Sequence, residues 1–96
     1  MYVLHFASSF DSSYKALIKG HAEFEKRAQK ALRLLKNNPL YPSLKSHKVN
    51  TRNFGEKWSS WITGDLRIIW DFDKKEMQNI LLFAITKHSG PHREYK

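Results

Sequence analysis

The hydrophobic residues of this chain change period once, near Asn37-Asn38-Pro39, and that change decides what the two parts can become. Before it, Phe10, Tyr14, Leu17 and Ile18 fall at i, i+4, i+7 and i+8, and Phe24, Ala28, Ala31, Leu32 and Leu35 repeat in the same manner. Side chains at those spacings share one face of an α-helix, so two amphipathic helices are expected. Ser8 or Ser9 can cap the first, Asp11 suits its first turn, and Gly20 ends it. The second spans about residues 21–36, with Glu25, Lys26, Lys30 and Arg33 on its outer side, and Asn37-Asn38-Pro39 is a strong stop.

Past that stop the period becomes two. Residues 44–49 read as a strand or extended edge, and residues 57–63 and 66–72 form the clearest hairpin, joined by Gly64-Asp65. Residues 78–86 contain the apolar run Ile80-Leu81-Leu82-Phe83-Ala84-Ile85, which suits a strand buried on both faces. Ahead of the helices, residues 2–6 are β-branched and aromatic and read as a short strand. The expected fold is α+β in one domain, residues 1–96. An N-terminal strand and a helical hairpin pack on a small antiparallel sheet of about four strands.

A two-residue loop at Gly64-Asp65 would pair Thr63 with Leu66, Ile62 with Arg67, Trp61 with Ile68 and Ser60 with Ile69. One face would then carry Trp61, Leu66, Ile68, Trp70 and Phe72, the side under the helices. The other would carry Trp58, Ser60, Arg67 and Asp71, with Ile62 and Ile69 between them. The division is sharp because a shift of one residue turns every side chain to the opposite face. Arg67 is thus expected to project from mid-sheet onto the face without helices, either as a rigid fork for phosphate or in a salt bridge to Asp71.

Charge supplies the first functional clue. Seventeen Lys and Arg against nine Asp and Glu leave +8 on 96 residues. A field of that sign draws in phosphate backbones and acidic protein segments. Lys45-Ser46-His47-Lys48 concentrates part of it and leads into Arg52 and Lys57. Read as a strand, it puts Lys45 and His47 on one face and Lys48 on the other. The chain has no Cys, which excludes disulfides and thiolate metal sites. No apolar run reaches the roughly 20 residues that span a bilayer. The start, Met1-Tyr2-Val3-Leu4-His5-Phe6, lacks a basic stretch followed by a long apolar one, so a cytoplasmic location without membrane contact is expected.

The last ten residues are polar and basic and contribute His88, His92, Arg93 and Tyr95. RNA cleavage by a 2′-hydroxyl needs a base, an acid and positive charge on the phosphorane-like transition state. His, Lys and Tyr can fill the first two roles, and Arg or Lys the third. His88 and His92 stand at helical spacing, but Ser89-Gly90-Pro91 opposes a helix and no carboxylate completes a set, so no metal is expected. Phosphate loops, GxGxxG, HExxH and a nucleophile elbow are absent.

Leu44-Lys45-Ser46-His47-Lys48-Val49, then Trp58 to Trp70 with Gly64-Asp65-Leu66-Arg67-Ile68-Ile69-Trp70, then Ile85-Thr86-Lys87-His88 and Tyr95, together resemble the RelE/ParE toxin superfamily. The resemblance covers nearly the whole chain, the two leading helices included. It implies a RelE/YafQ-like toxin of a type II toxin–antitoxin system: a metal-independent, cofactor-free endoribonuclease that cuts messenger RNA on the ribosome. By that resemblance Arg67 steadies the transition-state phosphate, His88 moves a proton, Tyr95 stacks on or orients the substrate, and Lys45 and Lys48 grip RNA or aid proton transfer. His47, Arg52 and Trp58 join Lys45 and Lys48 as expected substrate contacts. Many relatives carry arginines where this chain has Ser60 and Ile62, and Leu66 replaces an aromatic residue. The spacing from His88 to Tyr95 is also long, so His92 competes with His88 for the acid or base role. The implied partners are a cognate antitoxin, the ribosome and messenger RNA, with the free toxin a monomer. Two other readings share the fold: a ParE-like non-enzymatic gyrase inhibitor, and an inactive member that binds nucleic acid without cutting.

Overall fold

A computed structural model describes residues 1–90 and 93–95. Its elements are β1 (Val3–Phe6), α1 (Ser8–Leu17), α2 (Ala22–Asn37), a single 3₁₀ turn (Pro42–Leu44), β2 (His47–Thr51), β3 (Gly55–Trp61), β4 (Leu66–Phe72) and β5 (Asn79–Lys87). The five strands form one sheet in the order β1-β5-β4-β3-β2. The last four make an antiparallel meander, as the hairpin spacing implies. The first strand does not stand apart from the sheet: it pairs with β5 in parallel, Val3 opposite Asn79 and Phe6 opposite Leu82. The sheet is therefore mixed and one strand wider than the sequence suggests. β5 is apolar on both faces and lies inside the sheet, so its second edge also needs a partner.

The helical stripes meet one face of the sheet. Phe10 of α1, Ile18 just past its end, and Ala28, Ala31 and Leu35 of α2 pack with Ile68, Trp70, Ile80, Leu82 and Ile85. Each large apolar side chain buried there contributes about 1.5–3 kcal/mol. The core also holds one polar chain: Trp70 Nε1 donates to Ser60 Oγ at 2.7 Å, Ser60 Oγ lies 2.6 Å from Ser46 Oγ, and Ser46 Oγ donates to the Pro39 carbonyl at 2.7 Å. Among the described residues no buried polar side-chain atom lacks a partner.

Neither Ser8 nor Ser9 caps α1. Ala7 occupies that position, and Ser9 Oγ instead donates to the Phe83 carbonyl. Ser13 Oγ accepts from the Ile85 N–H at 2.8 Å. β1 ends opposite Leu82, which leaves the rest of the β5 edge bare, and these two hydroxyls take the place of a strand there. Phe83 is the extra residue of a bulge, since Ile69 opposes Ala84 while Trp70 opposes Leu82.

The hairpin register differs from the sequence reading by one residue. Trp61 opposes Arg67, Ser60 opposes Ile68, Ser59 opposes Ile69 and Trp58 opposes Trp70. The cause is Thr63, whose Oγ1 accepts from the N–H groups of Asp65 at 3.2 Å and Leu66 at 3.0 Å. This side-chain turn lengthens the connection beyond two residues. Strand β4 keeps its faces and β3 inverts: Trp58, Ser60 and Ile62 turn to the helices, and Ser59 and Trp61 turn away. No helix among the described residues is long and apolar enough to cross a membrane.

Candidate functional site

The face without helices is built around Arg67. Its side chain comes off the middle strand opposite Trp61 and is only 5% exposed. Nε and Nη2 both donate to the Gly64 carbonyl, at 3.2 and 2.7 Å, and Cζ lies 4.4 Å from the centroid of the Trp61 ring. The alternative of a salt bridge to Asp71 is excluded, because Asp71 pairs with Lys57 at 3.5 Å. Four residues of strand, about 13 Å, separate the two positions. Among the described residues Arg67 has no carboxylate partner. A guanidinium held by one carbonyl and one ring keeps its charge for an anion, and burial strengthens that attraction.

The same ring receives a second cation, with Lys45 Nζ 4.1 Å from the Trp61 centroid. Lys45 has φ +49°, the one non-glycine residue with positive φ among the described residues. L side chains rarely adopt that conformation, and residues that do tend to cluster at functional sites. His47 pairs with Ser59 across β2 and β3 and so lies on this face too, its Nδ1 2.9 Å from the Lys45 carbonyl.

The C-terminal segment crosses this face. His88 leaves β5 with its N–H donating to the Asp65 carbonyl at 2.6 Å, and its exposed ring stands edge-on to Tyr95, centroids 5.3 Å apart. Tyr95 hydrogen-bonds Ser59 through its hydroxyl and bridges Thr51 through its backbone. Glu94 donates from its backbone N–H to Thr86 Oγ1 at 2.8 Å, next to Arg67 across the sheet. Its carboxylate accepts from Asn53 N and Nδ2 at 2.7 and 3.1 Å. The turn between β2 and β3 thereby curls over the face and sets Phe54 against Phe83, 5.3 Å between centroids.

Of the expected site residues, Arg67, Lys45, His47, His88 and Tyr95 share this face. Two do not join them. Trp58 stacks on Trp70 at 5.6 Å and 17° on the helix side, a consequence of the inverted β3. Lys48 lies beside it, 5.4 Å from the Trp58 ring and 3.9 Å from Glu56. Arg52 is exposed in the β2–β3 turn, where its backbone N–H donates to the Glu94 carbonyl at 2.8 Å. His92 lies outside the described residues. Trp61 takes the place that the sequence reading gave Trp58, and Thr63 ahead of Gly64-Asp65 is the signal that could have shown it. Among the described residues no three His, Asp or Glu side chains gather as a metal site.

Neither a protein-family model nor a curated relative matches the chain. Its structure does match solved ones. The YoeB/ParE toxin of Agrobacterium tumefaciens superposes with a TM-score of 0.70 at 17% identity, over 91% of this chain and 99% of that one. The chain has the fold of the RelE/ParE toxins. YafQ of Escherichia coli matches this toxin fold with a TM-score of 0.68 at 16% identity, over 92% of this chain and 94% of its own. The RelE–RelB complex of the archaeon Pyrococcus horikoshii matches with a TM-score of 0.68 at 14% identity, over 94% and 98%.

Proposed function

We propose that this chain is the toxin of a type II toxin–antitoxin pair and that it cuts messenger RNA on the ribosome. The observation that carries the reading is Arg67, a buried guanidinium without a carboxylate partner among the described residues, on a face that also presents Lys45, His88 and Tyr95. In the reaction the 2′-hydroxyl oxygen bonds to the neighbouring phosphorus, the bond from phosphorus to the 5′-oxygen breaks, and the products are a 2′,3′-cyclic phosphate and a 5′-hydroxyl. Charge accumulates on the non-bridging oxygens of the phosphorane, and Arg67, with Lys45 near it, meets that charge. One proton leaves the 2′-oxygen and another reaches the 5′-oxygen. His88, exposed and in contact with Tyr95, is suited to one of these transfers. None of these steps calls for a metal or cofactor.

An antitoxin partner follows from two things. Among structures with this fold is a heterotetrameric YoeB–YefM toxin–antitoxin complex from Staphylococcus aureus, 18% identical, and this chain's +8 charge favours an acidic covering segment.

Primer extension on a messenger in a translating extract tests the reading. The wild type is expected to leave cuts that need ribosomes, and Arg67→Ala and His88→Ala to abolish or weaken them. Loss of the Arg67 charge should slow cleavage by about 10²–10³-fold, the usual effect of removing one transition-state donor. An intact messenger would exclude a nuclease. Inhibition of gyrase supercoiling by the same sample would then identify the ParE-like activity.

A further inference from the structure

Between α2 and the lower end of β3 runs a groove of about 460 Å³ whose cations the proposed reaction does not use. Lys26, Arg27, Lys30 and Arg33 form one wall, Trp61 part of the other, and Leu44 lies in its floor. Glu23 answers Arg27 at 3.2 Å, while Lys26, Lys30 and Arg33 have no carboxylate partner among the described residues. Positions 26, 30 and 33 stand at i, i+4 and i+7, one row along about 10 Å of helix. A row of point charges at that repeat suits a polymer carrying one negative charge per unit.

Trp61 connects this groove to the site. It borders the groove at the end of β3, while its ring, on the face away from the helices, holds both Arg67 and Lys45. We propose that the groove is an anionic track for the RNA strand, holding its phosphodiester backbone to one side of the scissile phosphate, with Trp61 at the junction as a stacking surface for a base. The inference rests on the RNA-cleavage reading and extends it from one phosphate to several nucleotides. Continuity with Arg67 favours RNA over an acidic protein segment, since a single strand can occupy both sites at once. An aromatic face within a basic groove is also the usual platform for unpaired bases.

The test is binding of 2′-O-methyl oligonucleotides, which cannot be cleaved, of about 3 and about 12 nucleotides, lengths that fall below and within the span of single-strand grooves. Wild type is compared with the triple variant Lys26→Gln/Lys30→Gln/Arg33→Gln by fluorescence anisotropy over a range of salt. Gln is a good helix former, so α2 is expected to persist, and circular dichroism verifies it. The longer oligonucleotide should lose at least tenfold in affinity at low salt, and its log–log salt slope should fall by about 2, three contacts at about 0.7 each. The shorter one should bind as to wild type. Unchanged binding of the longer oligonucleotide overturns the track, as does a loss confined to a poly-glutamate peptide, which would make the groove a protein contact. Cleavage in the translating extract is the control for the underlying reading: an Arg67→Ala variant that cuts messenger as fast as wild type overturns that reading, and the track with it, whatever the oligonucleotide binding shows.

Discussion

Ser59 and Ser60 are neighbours on β3 and both are fully buried, yet they belong to different regions of the molecule. Ser60 points to the helices, where its hydroxyl closes a polar chain between Trp70 and Ser46 inside an apolar core. Ser59 points the other way and meets Tyr95, part of a terminal segment held by a few hydrogen bonds and one aromatic contact. The first region is made by periodic hydrophobic burial and the second by single polar contacts around a buried cation. Burial on the helix face is spread over many side chains that support one another, and it fixes the fold. On the other face the charge of Arg67 has no carboxylate partner among the described residues, which costs stability and leaves capacity for a ligand. Function is expected where the packing is least self-sufficient.

The contrast can be sharpened from its strong end. Trp70→Ala removes a fully buried ring that stacks on Trp58 and meets Phe72 edge-on. It should cost about 3–5 kcal/mol in urea unfolding, enough to unfold much of a small domain. A smaller and more telling difference separates the paired serines. Ser60→Ala strands the buried Trp70 N–H and should cost about 1–3 kcal/mol. Ser59→Ala releases only the Tyr95 hydroxyl, which can turn to water, and should cost under about 1 kcal/mol. Equal costs for the two serines would mean that the terminal segment is as much a part of the fold as the core is.

How much of this was legible in the sequence follows the same division. The helical stripes of Phe10 to Ile18 and Phe24 to Leu35 and the apolar run of β5 revealed the helix-side core, because burial writes a period into the chain. The parallel placement of β1 was not legible, since a strand of four residues carries no mark of its partner or direction. On the other face, Arg67, Lys45, His47, His88 and Tyr95 were expected from residue chemistry and family resemblance, and the structure brings them to one face. Trp58 and Trp61 were exchanged, because a single hydroxyl at Thr63 sets the turn and with it the facing of all of β3. A local contact with no period left no trace in the hydrophobic pattern. Lys48 and Glu94 show the same limit: the partners that place them, Trp58 and Asn53, are set by tertiary structure.

The exchanged tryptophans give the most direct measurement of the account. Trp58→Ala and Trp61→Ala should be compared for unfolding free energy and for messenger cleavage per folded molecule in a translating extract. Trp58, half-buried against Trp70, should cost roughly 3 kcal/mol, the low end for aromatic truncation, and leave cleavage by the folded fraction near wild type. Trp61 should cost about 1 kcal/mol, in the range of its cation–π contacts. Its loss should also slow cleavage roughly a hundredfold, because Arg67 loses the ring that holds it in place. Cleavage that survives the loss of Trp61 and fails with Trp58 would contradict the assignment of the site to the face opposite the helices.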